Sequence, residues 1–289
     1  MKKLHNVYQI DAFTDKPFQG NSAGVVYSDE LSDEEMQLIA RELNVSETAF
    51  IARSDKADFN LRWFTPKVEV NLCGHATIAS MQYLVDRGII KKNTEVTFDT
   101  HSGILTCKSE NDLYILTLPI PKIEIFNGNK EEILSALMIN PEDISNDFPF
   151  LLADKSYLYI YVKNLEALRN VSTNFSALRK LTEQKKEFEA VTVFTTETFE
   201  KNNSAHLRFF APYFGIDEDP VTGSANGPLI LVLMELGLID INTEEKSLIF
   251  EQGDFLGRNG RVTVIYSPKE NKLSIAGNAF TVLKGELNF

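Results

Sequence analysis

Hydrophobic and polar residues alternate in short runs along most of the chain. Val7, Ile10 and Phe13 alternate with polar neighbours, which predicts a strand from Asn6 to Phe13, followed by turn chemistry from Thr14 to Asn21. Further strands are predicted over Ala23 to Tyr27, Ala49 to Ala52, Phe59 to Phe64, Val96 to Thr100, Gly103 to Cys107 and Tyr114 to Leu118. Met36, Ile39, Ala40 and Leu43 keep helical spacing behind the capping box Ser32-Asp33-Glu34-Glu35, so a helix runs to Asn44. One stretch breaks the rhythm. From Gly74 to Arg87 the apolar residues Ala76, Ile78, Ala79, Met81, Tyr83, Leu84 and Val85 occupy nearly every side of a helix that Gly88 caps. A helix without a polar face belongs inside the fold.

Past Leu118 the segment Pro119-Ile120-Pro121 reads as a linker, because consecutive X-Pro steps end regular structure. Helices are predicted from Asn129 to Ile139, stopped by Pro141, and from Asn164 to Val171 and Asn174 to Gln184; strands are predicted at Ser156 to Val162 and Ala190 to Thr195. A second unbroken apolar helix spans Ser224 to Leu236, with Pro228 in its first turns, where a missing amide costs little. Strands and turns follow at Phe250 to Gly253, Gly257-Arg258 and Arg261 to Ile265. Leu273 to Leu283 closes the chain, with Gly277-Asn278 and Gly285 as bends.

The two apolar helices sit at matched points of a repeat. Leu61-Arg62-Trp63-Phe64-Thr65-Pro66 recurs as Leu207-Arg208-Phe209-Phe210-Ala211-Pro212, 146 positions on. Past the proline, Cys73-Gly74-His75-Ala76 aligns with Thr222-Gly223-Ser224-Ala225 at 149 positions, so the second copy has gained three residues. A repeat this long is not a solenoid period and reads as two similar halves facing each other. The fold class is α+β: each half is a curved, mostly antiparallel sheet around one central helix. The expected halves are residues 1–119 and 120–277, with the closing strand 278–289 packing on the first.

Composition narrows the function classes. The chain has 289 residues, 43% hydrophobic and 24% charged, enough for two ordinary globular domains. Its formal charge of −12 argues against a nucleic-acid or anionic-membrane surface. Met1 to Asn6 leads into a strand with no apolar leader, and the longest apolar run, Pro228 to Met234, is too short to cross a bilayer. Two cysteines make neither a disulfide framework nor a structural zinc set, four scattered histidines speak against a metal site, and a reducing cytoplasm is the simplest setting.

Candidate chemistry gathers at the helix starts. Gly74-His75 and Gly223-Ser224 present free amides to an anion, and a carboxylate is the natural guest of a cleft between the halves. His75 adds a titratable ring, and Asp219, five residues before Ser224, is placed to orient that ring or a ligand. Singly, His75 is a helix-start donor, Asp219 a turn residue before Pro220 and Ser224 a plain N-cap; at matched points of a repeat they become a site. Glu47 carries one acid from a helix end into an apolar strand. A solvated loop-end glutamate is the commoner arrangement for such a residue; a desolvated one is a competent proton carrier.

Six segments together resemble the signature set of the PhzF-like family, named for an isomerase of phenazine biosynthesis. They are Asp11-Ala12-Phe13-Thr14 with Pro17-Phe18-Gln19-Gly20-Asn21, Ser46-Glu47-Thr48-Ala49-Phe50, Arg62-Trp63-Phe64-Thr65-Pro66, Leu72-Cys73-Gly74-His75-Ala76-Thr77, Asp219-Pro220-Val221-Thr222-Gly223-Ser224-Ala225, and Glu251-Gln252-Gly253 with Gly257-Arg258. The resemblance implies a diaminopimelate-epimerase-like fold, a homodimer, and a cofactor-free isomerase in which Glu47 moves a proton with help from His75, Asp219 and Ser224. Gly74, Gly223, Asn21, Cys73, Thr222 and Ala225 are the expected substrate contacts.

Epimerases of this architecture resemble two-base racemases with paired thiols. Here Cys73 aligns with Thr222, whose hydroxyl cannot replace a thiolate as a base near neutral pH, so a single-carboxylate reaction on a small carboxylic acid is expected instead. The rival readings are a binding or interaction protein that keeps the cleft without turnover, and a Cys-dependent hydrolase, which lacks a third partner for its base. No nucleotide-binding glycine loop of the Walker or dinucleotide form is present. Arg62 and Arg208, at matched positions, are expected to make ion pairs within their own halves.

Overall fold

The computed structural model describes residues 4–145, 147–240 and 244–289; the expectation resting on Met1 to Lys3 lies outside them. The chain forms two compact units, Met1–Leu118 with Ser274–Phe289, and Pro119–Leu273. The first changeover falls at the head of the Pro119-Ile120-Pro121 segment.

In the first unit β1 (Leu4–Ala12) pairs antiparallel with β2 (Asn21–Tyr27). The chain crosses through α1 (Asp33–Leu43) to β3 (Glu47–Ala52), parallel to β2, then turns back antiparallel as β4 (Phe59–Phe64) with the short β5 (Glu69–Val70) beside it. Helix α1 is bounded as its sequence dictates: Ser32 and Glu35 complete a reciprocal capping box, and Asn44 ends the helix in the left-handed conformation. Helix α2 (Gly74–Asp86) follows, then β6 (Glu95–Thr100), parallel to β4, and the antiparallel β7 (Gly103–Glu110) and β8 (Leu113–Leu118).

The second unit is also built of strands and helices. It runs β9 (Ile123–Ile125), α3 (Lys130–Leu137), β10 (Leu151–Ala153), β11 (Tyr157–Tyr161), α4 (Leu165–Arg169), α5 (Phe175–Lys185), β12 (Ala190–Thr195), β13 (Ala205–Ala211), β14 (Ile216–Asp219), α6 (Gly223–Glu235), β15 (Lys246–Gln252) and β16 (Gly260–Ser267). Strand β11 lies parallel to β12, which is antiparallel to β13; β13 lies parallel to β15, which is antiparallel to β16. The same alternation links β2, β3, β4, β6 and β7. Helices α3, α4 and α5 enclose a core of their own, with Ile133, Leu137, Leu168, Leu178 and Phe210 buried in it. Strands β9 and β10 have three residues each, too few for their alternation to show in the sequence.

Strand β17 (Lys272–Gly277) pairs with β8, and the first unit takes up the chain again from Ser274. Strand β18 (Ala279–Asn288) then lies antiparallel to β1, with a bulge between Gln9 and Ile10. Gly285 is not a bend; it sits within β18 opposite Val7, where the ladder holds it extended.

Both apolar helices are buried as their patterns require. Helix α2 packs against β1, β2, β3, β7, β8 and β18, which curve around it, and Ala76, Ile78, Ala79, Met81 and Leu84 have no exposed surface. Helix α6 packs on β9, β11 and β16, with Ala225, Leu229, Ile230, Val232 and Leu233 fully buried. Burying one such leucine or isoleucine contributes about 1.5–3 kcal/mol.

Arg62 makes paired hydrogen bonds to Glu69 at 2.7 and 2.8 Å, and Arg208 makes the same pair to Glu218 at 2.8 Å each. Each guanidinium also covers a phenylalanine ring, Phe64 or Phe210. The two arginines are therefore clamps inside their own units.

Candidate functional site

In the first unit β2, β3 and the start of α2 converge on one buried cluster. Glu47 is the first residue of β3 and lies beside Ala23 of β2. Its side chain is drawn inward because the strand that follows is apolar on both faces: Thr48, Ala49, Phe50 and Ile51 are all buried. Glu47 is only 9% exposed, so the solvated loop-end arrangement does not hold. Cys73 caps α2 with extended backbone and donates no side-chain cap; its sulfur turns toward His75 in the first turn.

Four side chains meet there. Oε2 of Glu47 lies 3.2 Å from Nε2 of His75. Sγ of Cys73 lies 3.5 Å from Nδ1 and 3.9 Å from Nε2 of the same ring. Asn21 Nδ2 approaches Nδ1 at 3.3 Å, and the Ser46 hydroxyl donates to Asn21 Oδ1 at 3.2 Å. Ser46 was not among the expected site residues; only its place beside Glu47 in the quoted motif signals it.

Burial opposes a charge on His75, but the neighbouring Cys73 sulfur and Glu47 carboxylate outweigh it and hold the ring's pKa well above the ordinary imidazole value. Burial, and after it the charge of Glu47, pushes the Cys73 thiol up. The cluster thus holds a buried acid–imidazole pair beside a thiol whose burial disfavours its ionised form.

The second unit holds the other expected residues. Asp219 Oδ2 accepts from the Thr222 hydroxyl at 2.5 Å. Gln252 at the end of β15 ties this turn together: its Oε1 accepts from the Thr222 amide at 2.9 Å and from Asn226 Nδ2 at 2.7 Å, and its Nε2 donates to the Asp219 carbonyl at 2.9 Å. Ser224 Oγ lies 3.2 Å from the hydroxyl of Tyr157, and Tyr159 donates to the carbonyl of Ala225 at 2.8 Å. Gly223 is buried at the helix start between Thr222 and Ser224.

The structure therefore brings Glu47, His75, Cys73 and Asn21 together around Gly74, and Asp219, Thr222, Gly223, Ser224 and Ala225 together in the other unit. Gln252, Asn226 and Tyr157 were missed. Gln252 lies within a motif the sequence displays; Tyr157 and Asn226 carry no local sign of their role.

The two units differ at the matched positions. Phe50 stands opposite Arg62 in the β3–β4 ladder, as Val193 stands opposite Arg208 in β12–β13. Counting three residues back along each strand matches Glu47 with Ala190, each the first residue of its strand. Cys73, His75 and Thr77 match Thr222, Ser224 and Asn226. The second unit has no carboxylate where the first has Glu47.

The profile of the PhzC-PhzF family, described as phenazine biosynthesis-like protein, matches residues 10–285. An uncharacterized isomerase of Clostridium acetobutylicum is 38% identical over 304 aligned residues, covering 99% of each chain. The crystal structure of a PhzF-family phenazine biosynthesis protein from Bacillus anthracis superposes with a TM-score of 0.91 at 31% identity, over 99% of both chains. A hydroxyproline epimerase from Agrobacterium vitis shares the fold, with a TM-score of 0.65 at 12% identity over 99% of this chain and 93% of that one.

Proposed function

The chain belongs to the PhzC-PhzF family of phenazine biosynthesis-like proteins, and we propose that it is an isomerase in which Glu47 alone moves a carbon-bound proton of a small carboxylic acid. The observation that carries this reading is the buried Glu47–His75 pair in the first unit, with Ala190 at the position in the second unit that matches Glu47. One base, not two, suits a reaction that takes a proton from one carbon and returns it to another.

The chemistry balances without a co-reactant. Glu47 takes a proton from a carbon made acidic by conjugation to the substrate's carboxylate or double bond, and the electron pair delocalises toward that group. His75, held protonated, stabilises the charge on Glu47 before the transfer and donates toward the substrate as its negative charge grows. The first-turn amides of α2 at Gly74 and His75 have no intrahelical acceptor and are available to an oxyanion. Glu47 then gives the proton to a different carbon, and the double bond has moved. Cys73, a neutral thiol, fills space against the ring. The homodimer implied by the family resemblance is part of the proposal.

Proton exchange tests it. Small unsaturated and hydroxy carboxylic acids are incubated with the protein in deuterated water and followed by NMR. Deuterium appearing at carbon with wild-type protein and not with Glu47→Gln is the expected result. Exchange that survives in the variant overturns the mechanism, and ligand binding without any exchange turns the reading toward a binding protein.

A further inference from the structure

Two different kinds of neighbour face the two nitrogens of the His75 ring. Nε2 stands 3.2 Å from Oε2 of Glu47, and an ionised carboxylate can only accept a hydrogen bond. Nδ1 stands 3.3 Å from Nδ2 of Asn21 and 3.5 Å from Sγ of Cys73. A carboxamide offers a donor on one arm and an acceptor on the other, and a thiol does either weakly. The partner of Nε2 therefore requires a proton there, whereas the partners of Nδ1 accommodate a proton or its absence.

Asn21 is held where it can serve both conditions. It opens β2 opposite Ala12 and has no exposed surface. Gly20 makes the turn ahead of it with φ +62, and a Cβ there would come within 2.1 Å of the Ala12 carbonyl oxygen, so the backbone that delivers Asn21 is closely fixed. The Asn21 Oδ1 accepts from the Ser46 hydroxyl at 3.2 Å while its Nδ2 points to Nδ1 of His75. This arrangement suits a neutral ring with Nδ1 bare. A half-turn of the carboxamide puts Oδ1 on Nδ1–H, and the Ser46 hydroxyl, which accepts as readily as it donates, then takes a bond from Nδ2. Both arrangements make the same number of hydrogen bonds. The ring thus gains or loses a charge without leaving a buried polar group unmatched.

We propose that Asn21 is a positioning residue that confines the gain and loss of the His75 proton to Nδ1 and keeps Nε2–H on Glu47 throughout. Glu47 at the start of β3 and Cys73 at the head of α2 are the titratable groups that bear on the ring among the described residues, and Asn21 on β2 adds no charge of its own. Glu47 keeps one hydrogen bond of fixed direction whichever charge the ring carries, so its carboxylate stays aimed while it takes and returns the substrate proton. This consequence rests on the isomerase reading; the placement of the ring protons does not.

Protein labelled with ¹⁵N-histidine is titrated without ligand from about pH 5 to about pH 10, and the ring nitrogens are followed in long-range ¹H–¹⁵N correlation spectra. His75→Gln identifies the His75 signals among the four histidines. The expected result is a ring protonated on both nitrogens at the acid end that loses its proton from Nδ1 alone as pH rises. Asn21→Asp places an acceptor-only anion on Nδ1 and is expected to raise the ring's pKa by about one to three pH units. Asn21→Leu offers Nδ1–H no carbonyl and is expected to lower it. Neutral rings protonated at Nδ1 and bare at Nε2 overturn the proposal, as does a ring that holds one charge from end to end of the titration, or a pKa left in place by both Asn21 variants. The wild-type spectra decide the first two outcomes by themselves, so the test survives the misfolding of a variant. They need neither substrate nor turnover, so this proposal and the isomerase reading can fail separately.

Discussion

The carboxylate of Glu47 and the imidazole of His75 stand 3.2 Å apart, both buried, one at the start of a strand and the other in the first turn of the central helix. Neither element places its residue there alone. The parallel pairing of β2 with β3 sets the height of Glu47, and the packing of α2 against both strands sets that of His75.

Removing the acid while keeping its shape separates chemistry from binding. Glu47→Gln is expected to lower kcat by about 10²–10⁴-fold, the usual contribution of a positioned proton carrier, with a much smaller change in ligand affinity. Steady-state kinetics and calorimetric binding of the same acid check the split. Equal losses in both would mean that Glu47 binds rather than reacts.

A neutral thiol predicts a mild phenotype at the neighbouring position. Cys73→Ser is expected to keep turnover within about tenfold of wild type, because no bond is made or broken at sulfur. A two-thiol racemisation would lose turnover altogether. Alkylation gives an independent measure: the buried, neutral thiol should react with iodoacetamide far more slowly than a free cysteine.

Acid should loosen the second unit through Glu251. Its carboxylate is buried, which raises its pKa, but it accepts from His206, from the amides of Phe199 and Glu200 and from Asn203, and these bonds lower it to about 2. A depressed carboxyl pKa adds stability that is complete above the ordinary value of 4.5 and is lost as pH falls from there toward about 2. The contribution is roughly 2 kcal/mol after allowance for solvent screening. Urea unfolding at several pH values should show Glu251→Gln less stable than wild type near neutrality, with the difference vanishing toward pH of about 2.

Gly253 tests the support of the second cluster. It has φ +90, and a Cβ there would meet the carbonyl oxygens of Arg258 at 2.3 Å and Pro220 at 2.7 Å, both backbone. Gly253→Ala is expected to cost about 2 kcal/mol or more, a drop of roughly 4–8 °C in Tm, and to disturb neighbouring Gln252 and through it Asp219. A variant that melts like wild type would mean that the turn yields.

Much of this architecture is legible in the residues. The Ser32–Glu35 capping box, the Gly88 stop and the unbroken apolar sides of both central helices are local signals, and local sterics and hydrogen bonding answer them directly. The ion pairs expected of Arg62 and Arg208 within their own halves are the clamps to Glu69 and Glu218. Gly285 misleads because a glycine's freedom says nothing about a strand whose extended form is imposed by its partner β1. The return of the chain to the first unit at β17 is not legible for a related reason: its pairing with β8 joins segments far apart in the chain.

What the sequence determined by itself is the longer elements and the types of side chain at the helix starts. What only the tertiary structure decided is which of them meet. Glu47 could have remained in solvent, and Cys73 could have faced away from His75; the buried apolar strand that follows Glu47 and the α2 helix against it leave both side chains turned inward. Gln252 and Tyr157 acquire their partners Thr222 and Ser224 only because the end of β15 and the start of β11, both distant from α6 in the chain, fold beside its first turn. The physical reason is range: capping and periodicity act within a few residues, whereas desolvation and the position of a buried charge depend on every segment that folds over it.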